Sequence, residues 1–267
     1  MIKLFAVDMD GTCLSDRRLM SEATIQALRE AAEAGITVVP TTGRTCTCLP
    51  HQIWDQDFYR YVISSNGAVA TDLTTKECMH RALIPWESVV GLLQECDEHK
   101  IGLSVHLNHR FILQGRFLKK LGQWSYGRDA RNTECEKSIV DLLKREKTDL
   151  EELQLFYFSE GARTACREIL GRAEHLSMAF DSHYAEVYSP EASKGNALTV
   201  LAEQLGVRKE EIACVGDAEN DLSMFAASGL KFAMGNGIPE LKEKADVVLP
   251  SNNDDGVACA IREYLLK

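Results

Sequence analysis

The run Ile2-Lys3-Leu4-Phe5-Ala6-Val7 passes within one residue into Asp8-Met9-Asp10-Gly11-Thr12-Cys13-Leu14. A short apolar run closed by a turn signal reads as a buried strand, and Gly11-Thr12 supplies the turn. Two carboxylates at i and i+2 then stand where the strand ends, with Asp16 close behind. In an open α/β sheet, ligands bind at the carboxyl ends of strands. Two acids side by side repel unless a cation or a shared proton offsets them. The segment therefore points to a metal site, an acid–base pair, or both. An ordinary strand with an Asp-Gly turn is the plainer reading, and a second acidic loop weighs against it. Ile212-Ala213-Cys214-Val215-Gly216 is another short apolar run, and it ends in Asp217-Ala218-Glu219-Asn220-Asp221. Two strands ending in oxygen-rich loops suggest one oxygen-lined pocket, a donor set that favours Mg²⁺ over zinc or copper.

The 267 residues allow one large domain or two modest ones. Net charge is −10 with no basic tract, so nothing marks a nucleic-acid surface. No apolar run approaches a membrane span, and acids follow Val7 too soon for a signal peptide. A cytoplasmic protein is expected, with no membrane partner. The nine cysteines form no CxxC pair, and Cys46 and Cys48 are too close for an ordinary disulfide or a zinc knuckle. Reduced thiols follow. Cys13 reads as a small apolar filler, with a redox role for Cys13, Cys46 or Cys48 left open.

Strand and helix signals alternate at both ends of the chain. Ser21 can cap a helix with apolar positions Ile25, Leu28 and Ala32, ended by Gly35. Strands follow at Ile36 to Pro40 and Tyr61 to Ser65, the latter ending in the turn Asn66-Gly67. Val69 and Ala70 begin a return strand. Ser193 to Leu205 reads as a helix, followed by the Ile212 strand, a helix from Asp221 to Ala227, and strands at Lys231 to Met234 and Asp246 to Leu249. Between residues 83 and 187 the rhythm breaks into helices and hairpins. His106 and His109 read as hairpin residues there, and Asp181, His183 and Glu186 as turn residues or substrate-facing groups. The pattern predicts an α/β fold: a Rossmann-like, doubly wound parallel sheet over 1–82 and 188–267, with an inserted α+β domain over 83–187.

Four segments in order carry a resemblance: Asp8-x-Asp10-Gly11-Thr12, Thr41-Thr42-Gly43-Arg44, Ser193-Lys194-Gly195 at a helix start, and Gly216-Asp217-x-x-Asn220-Asp221. They resemble the four motifs of the haloacid dehalogenase superfamily. Their spacing is similar to that of its Cof-type phosphatases, which place a large α/β cap between the second and third motifs. The resemblance implies an aspartyl-phosphate route with Asp8 as nucleophile. Asp10 would be general acid and then base, so it must hold a proton for part of the cycle. Lys194 would neutralise phosphate and Asp8. Thr42 would hydrogen-bond a phosphate oxygen, with Gly11 and Gly43 nearby and Gly43 N–H at a helix start. Mg²⁺ would be held by Asp8, Asp217 and the Asp10 backbone carbonyl, with Asn220 and Asp221 completing or supporting the shell. Arg44, Asn66 and Asn220 are further candidates for contact with the phosphorylated substrate.

A phosphatase for a small phosphorylated metabolite, such as a sugar phosphate, is the leading expectation. A phosphomutase or phosphotransferase with the same intermediate is a second reading, and a non-catalytic phosphometabolite-binding module a third. A receiver domain fits neither the length nor the insertion. No heptad pattern sets the assembly, which is left as monomer or homodimer.

Overall fold

The computed structural model describes residues 1–130 and 132–267. In chain order, β1 (Leu4–Asp8) is followed by α1 (Glu22–Glu33), β2 (Thr37–Thr41), α2 (His51–Trp54) and the strands β3 (Tyr61–Ser64), β4 (Val69–Asp72) and β5 (Cys78–Arg81). Then come α3 (Trp86–Cys96), β6 (Gly102–Leu107), β7 (Arg110–Gln114), α4 (Gly115–Tyr126), β8 (Glu134–Glu136), α5 (Ile139–Glu146), β9 (Glu152–Phe156), α6 (Glu160–Leu170), β10 (Ser177–Phe180) and β11 (Tyr184–Tyr188). The chain closes with α7 (Lys194–Gln204), β12 (Ile212–Gly216), α8 (Leu222–Ala227), β13 (Leu230–Ala233), α9 (Pro239–Lys244), β14 (Val247–Val248) and α10 (Gly256–Ala260). No helix among the described residues is long and apolar enough to cross a membrane.

The chain forms two compact units. The first comprises Met1–Gly43, Pro50–Arg81 and Ser193–Lys267. Its eight-stranded sheet runs β14-β13-β12-β1-β2-β3-β4-β5. The pairs from β14 to β3 are parallel, and β4 and β5 return antiparallel at one edge. Every residue of β1 is buried, as expected of a strand covered on both faces. The order reverses at β1, which has β12 on one side and β2 on the other; such a switch point opens a crevice at the strand ends. In α1, Ser21 accepts from Thr24 N as the expected cap, but the buried stripe is Thr24, Ala27, Leu28 and Ala31. The stripe is rotated from the expected Ile25/Leu28/Ala32 face, sharing only Leu28 with it.

The second unit comprises Arg44–Leu49 and Ala82–Ala192. Its six-stranded sheet runs β10-β11-β9-β6-β7-β8. One face buries Leu103, Val105, Leu153, Leu155, Ala185 and Val187 in a core shared with residues of α3, α5 and α6. The segment 44–49, which nothing in the sequence sets apart, is tied into this unit: Thr47 Oγ1 donates to the His109 carbonyl at 2.8 Å. His109 does sit in the β6–β7 turn, with φ 66°. His106 lies in the β6 strand of the same hairpin, opposite Phe111; it is buried and edge-on to that ring, with centroids 5.1 Å apart.

Candidate active site

Asp8 ends β1 and Asp217 follows β12, and these strands are parallel neighbours with Val7 opposite Val215. The register therefore delivers both carboxylates to the same end of the sheet. Carboxylate oxygens of Asp8, Asp217 and Asp221 lie within 4.8 Å of one another. Lys194, the first residue of α7 and only 1% exposed, sits among them. Its Nζ donates to Asp8 Oδ1 at 2.6 Å and to Asp221 Oδ1 at 2.7 Å. Helix α7 holds that lysine firmly: Ser193 caps it by accepting from Asn196 N. Gly195 allows the close approach of α8, since a β-carbon there would overlap the Ser223 carbonyl.

Burial pushes the Asp8 carboxyl well above the usual carboxylate range; Lys194 opposes this, and the Asp221 and Asp217 charges add to it. Burial raises Asp217 too, against a lowering hydrogen bond from Thr12 Oγ1 to its Oδ1 at 2.8 Å. Burial alone would lower Lys194, but the Asp221 and Asp8 carboxylates outweigh it and hold the group above its ordinary value. Lys194 is thus a fixed ammonium facing three acids. A single positive charge leaves this cluster net negative, and its donors are all oxygen. That arrangement fits a hard divalent cation.

Asp221 is engaged on both oxygens. Oδ1 accepts from Lys194, and Oδ2 accepts from Asp217 N at 2.9 Å and Ala218 N at 3.0 Å. It is fully buried and braces the 217–218 loop. Gly11 has φ +81°, which favours glycine, and a β-carbon there would overlap Asp217 Oδ2. Asp10 stands exposed on the same loop.

The remaining candidates divide. Thr42 is buried, its N–H donating to the Ile63 carbonyl at 2.9 Å and its carbonyl accepting from Asn66 N at 3.2 Å. No α-helix starts at Gly43; the chain bends, makes a short turn at Cys46–Cys48, and α2 begins only at His51, so the expected helix-start N–H is replaced by loop backbone. Asn66 is left-handed at φ 53° and accepts from Asn220 Nδ2 at 3.0 Å, with its amide lying over Gly43. Asn220 thus reaches toward Asn66, outside the three-carboxylate group. Arg44 lies in the second unit, buried, with Nη1 2.8 Å from Asp129 Oδ2 and 3.2 Å from the Cys48 carbonyl. Its guanidinium stacks 5.0 Å from the Tyr126 ring. Burial pushes the Cys13 thiol well up, so it is no ready nucleophile.

Sequence reasoning passed over Thr12 as a partner of Asp217, and over two asparagines that hold the Asp8 loop. Asn236 Nδ2 donates to the Gly11 carbonyl at 2.8 Å, and Asn252 Nδ2 to the Leu14 carbonyl at 3.0 Å. The available signal was position: Gly235-Asn236-Gly237 and Ser251-Asn252-Asn253 follow β13 and β14 as the acidic loops follow β1 and β12.

The family profile of haloacid dehalogenase-like hydrolases matches residues 5–261. A phosphatase of Bacillus subtilis strain 168 is 31% identical, over 99% of this chain and 100% of its own. The 5-amino-6-(5-phospho-D-ribitylamino)uracil phosphatase YcsE of the same organism is 28% identical, over 99% and 96%. The solved structure of a haloacid dehalogenase-like hydrolase from B. subtilis superposes with a TM-score of 0.84 at 29% identity, over 99% of this chain and 100% of that one.

Proposed function

We propose a reaction on the premise that the chain belongs to the haloacid dehalogenase-like hydrolase family: Mg²⁺-dependent hydrolysis of small phosphate monoesters through an aspartyl-phosphate on Asp8. The chain is a phosphomonoesterase of that family; the metal, the route and the substrate size are the proposal. The observation that carries it is the buried Lys194 ammonium, 2.6 Å from an Asp8 oxygen. An ammonium so placed opposes the burial that raises the Asp8 carboxyl, favours its ionised form and aligns it as a nucleophile, and it would draw a phosphate to the same point.

Asp8 attacks phosphorus, forming an O–P bond as the ester oxygen departs with a proton from Asp10. The Asp10 carboxylate then takes a proton from water, which attacks the aspartyl-phosphate, releasing inorganic phosphate and restoring Asp8. The exposed position of Asp10 suits exchange with both alcohol and water. Asp8, Asp217 and the Asp10 carbonyl would hold Mg²⁺, with Thr12 orienting Asp217. The ion would supply positive charge to the phosphoryl oxygens. Asp221 is assigned the bracing of Lys194 rather than ligation, because both of its oxygens already accept. Thr42, Gly11, Gly43 and the Asn66–Asn220 pair are assigned to the phosphate. We assign specificity to the second unit.

Phosphate release from a panel of monoesters, with Mg²⁺ and with EDTA, tests the proposal in wild type and Asp10→Asn. Metal-dependent release that collapses by about 10²–10⁴-fold in Asp10→Asn is expected. Equal release in EDTA would refute the metal, and full activity of the variant would refute the acid.

A further inference from the structure

The acid-bearing loops after β1 and β12 are both bonded to a third loop, the turn that follows β13. All three belong to the first unit. Asn236 lies in this turn and is exposed. Its Nδ2 donates to the Gly11 carbonyl at 2.8 Å, and its Oδ1 accepts from Asn252 N at 2.9 Å. Two residues on, Ile238 N donates to the Asp217 carbonyl at 2.9 Å. Gly237 permits this approach, since a β-carbon there would press on the Asp217 backbone at 3.2 Å. At the other end of the turn, Met234 N donates to the Gly216 carbonyl at 3.0 Å.

An amide donates at one end and accepts at the other, across a fixed separation. The bond from Asn252 N therefore occupies the Asn236 oxygen and turns its NH₂ toward Gly11. Asn252 extends the strap along the same loop, its Nδ2 donating to the Leu14 carbonyl at 3.0 Å and to Asp16 Oδ1 at 3.2 Å. On the Gly11–Thr12 peptide the carbonyl is thus held by Asn236, while Thr12 Oγ1 donates to Asp217 Oδ1 at 2.8 Å. The Asp10 carbonyl belongs to the preceding peptide, joined to this one at Gly11 with φ +81°. Fixing the Gly11 carbonyl thereby limits where the Asp10 carbonyl can point. Repulsion among the carboxylates works to part the two loops, and the turn after β13 ties them from one side.

We propose that Asn236 is a positioning residue for the divalent cation: the turn it anchors sets the spacing between the Asp10–Gly11 backbone and Asp217, and with it the affinity for Mg²⁺. The proposal rests on the metal reading above for the identity of the ion. Mg²⁺ alone is titrated into the full chain, without ester, by calorimetry and by the rise in Tm. Asn236→Ala should raise the Kd for Mg²⁺ by about tenfold or more, the order seen when a group that orients metal ligands is lost. Its Tm in EDTA should stay close to wild type, because the residue is exposed. Asn236→Asp keeps the shape and the bond from Asn252 N but sets an oxygen against the Gly11 carbonyl. Its added negative charge alone would tighten Mg²⁺, whereas lost position weakens it, and weaker binding than wild type is expected. Phosphate release by Asn236→Ala should fall at limiting Mg²⁺ and recover as Mg²⁺ is raised by the same factor, with KM for the ester unchanged. A Kd for Asn236→Ala within about threefold of wild type, or an Asn236→Asp chain that binds Mg²⁺ as tightly as wild type, would overturn the proposal and leave the metal reading standing. A Tm lowered equally in EDTA and in Mg²⁺ would likewise overturn it, assigning the turn to stability alone. Absence of Mg²⁺ binding by wild type would overturn the metal reading and the proposal together.

Discussion

Replacing Asp8 by Asn should stabilise the metal-free protein while abolishing turnover. At an effective dielectric near 20, unit charges 4.8 Å apart repel by about 3.5 kcal/mol, and the carboxylate oxygens of Asp8, Asp217 and Asp221 are no farther apart than 4.8 Å. Asp8 thus meets two repulsions of that order. Its attraction to Lys194 at 2.6 Å is about 6 kcal/mol on the same scale. The pair terms nearly cancel, and the cost of burying the Asp8 charge is left uncompensated, several kcal/mol in proteins. Asn keeps the shape, removes the charge, and sets an amide against Lys194. A net gain of about 2 kcal/mol is expected, a rise of about 4–8 °C in Tm for a chain of this size. The pH dependence has a definite sign. Burial raises the folded Asp8 carboxyl, so the folded state binds more protons than the unfolded one above about pH 4. Metal-free wild type should therefore lose stability as pH rises from about 4 toward the raised value, and Asp8→Asn should lack that component. Thermal unfolding in EDTA across pH, repeated with Mg²⁺, reads all of this. Mg²⁺ at 100 times its Kd adds about 2.7 kcal/mol to wild type, and less to the variant, so the gap should close or invert. A lower Tm for Asp8→Asn in EDTA would refute the electrostatic argument.

Three other outcomes are expected. Lys194→Met leaves two buried carboxylates and the half-buried Asp217 with no counter-charge and should cost about 3–5 kcal/mol in EDTA by urea unfolding, with less loss in Mg²⁺; equal loss in both would show that the lysine acts through packing alone. Asp129→Asn removes the partner of buried Arg44, and a loss of about 3–5 kcal/mol is expected; a neutral result would mean that stacking on Tyr126 suffices. Burial pushes His106 down to about 3, so the stability its neutral form contributes is complete above about pH 6.5 and lost as pH falls toward 3, up to about 5 kcal/mol. Acid unfolding of His106→Phe against wild type measures it, and superimposable curves would refute it.

The strands that carry the chemistry were legible because each is an apolar run that stops at a polar loop. Leu4–Asp8 and Ile212–Gly216 are buried throughout, as strands of a parallel sheet covered on both faces are. What escaped had a weaker local signal. Helix α4 begins at Gly115 and carries Phe117, Leu121 and Trp124 toward solvent, so its pattern does not separate a core face from a water face. The segment Arg44–Leu49 follows a first-unit motif without a break, and its ties to the second unit run to His109 and to Asp129, the latter 85 residues from Arg44 in sequence. His106 reads as a hairpin residue by position, two before the Asn108-His109 turn. Only the pairing of β6 with β9 shows it inside the sheet, with Nδ1 3.9 Å from Glu152 Oε2, too far for a hydrogen bond.

Asp217 and Asp221 show where motif reading stops. Both are aspartates of one loop, four residues apart, and composition gives no reason to separate them. The turn at Glu219–Asp221 folds the second acid back under the first, where its Oδ2 accepts the Asp217 and Ala218 amides. Gly216 is required by this fold, since a β-carbon there would collide with Asp221. Asp221 then has one oxygen left, and Lys194 takes it. The ammonium is therefore anchored from behind by a carboxylate whose two oxygens are both engaged, and its other bond goes to Asp8. A lysine held by Asp8 alone would be free to follow a departing phosphate. On the route proposed above, one held by both acids would keep its place while Asp8 passes from carboxylate to acyl phosphate and back. The division of labour follows from which oxygens the backbone occupies, and conservative replacement should expose it: Asp217→Asn should weaken metal binding and raise the Tm in EDTA by relieving repulsion from Asp8 and Asp221, whereas Asp221→Asn should lower that Tm by turning an amide N–H toward either Lys194 or the loop amides.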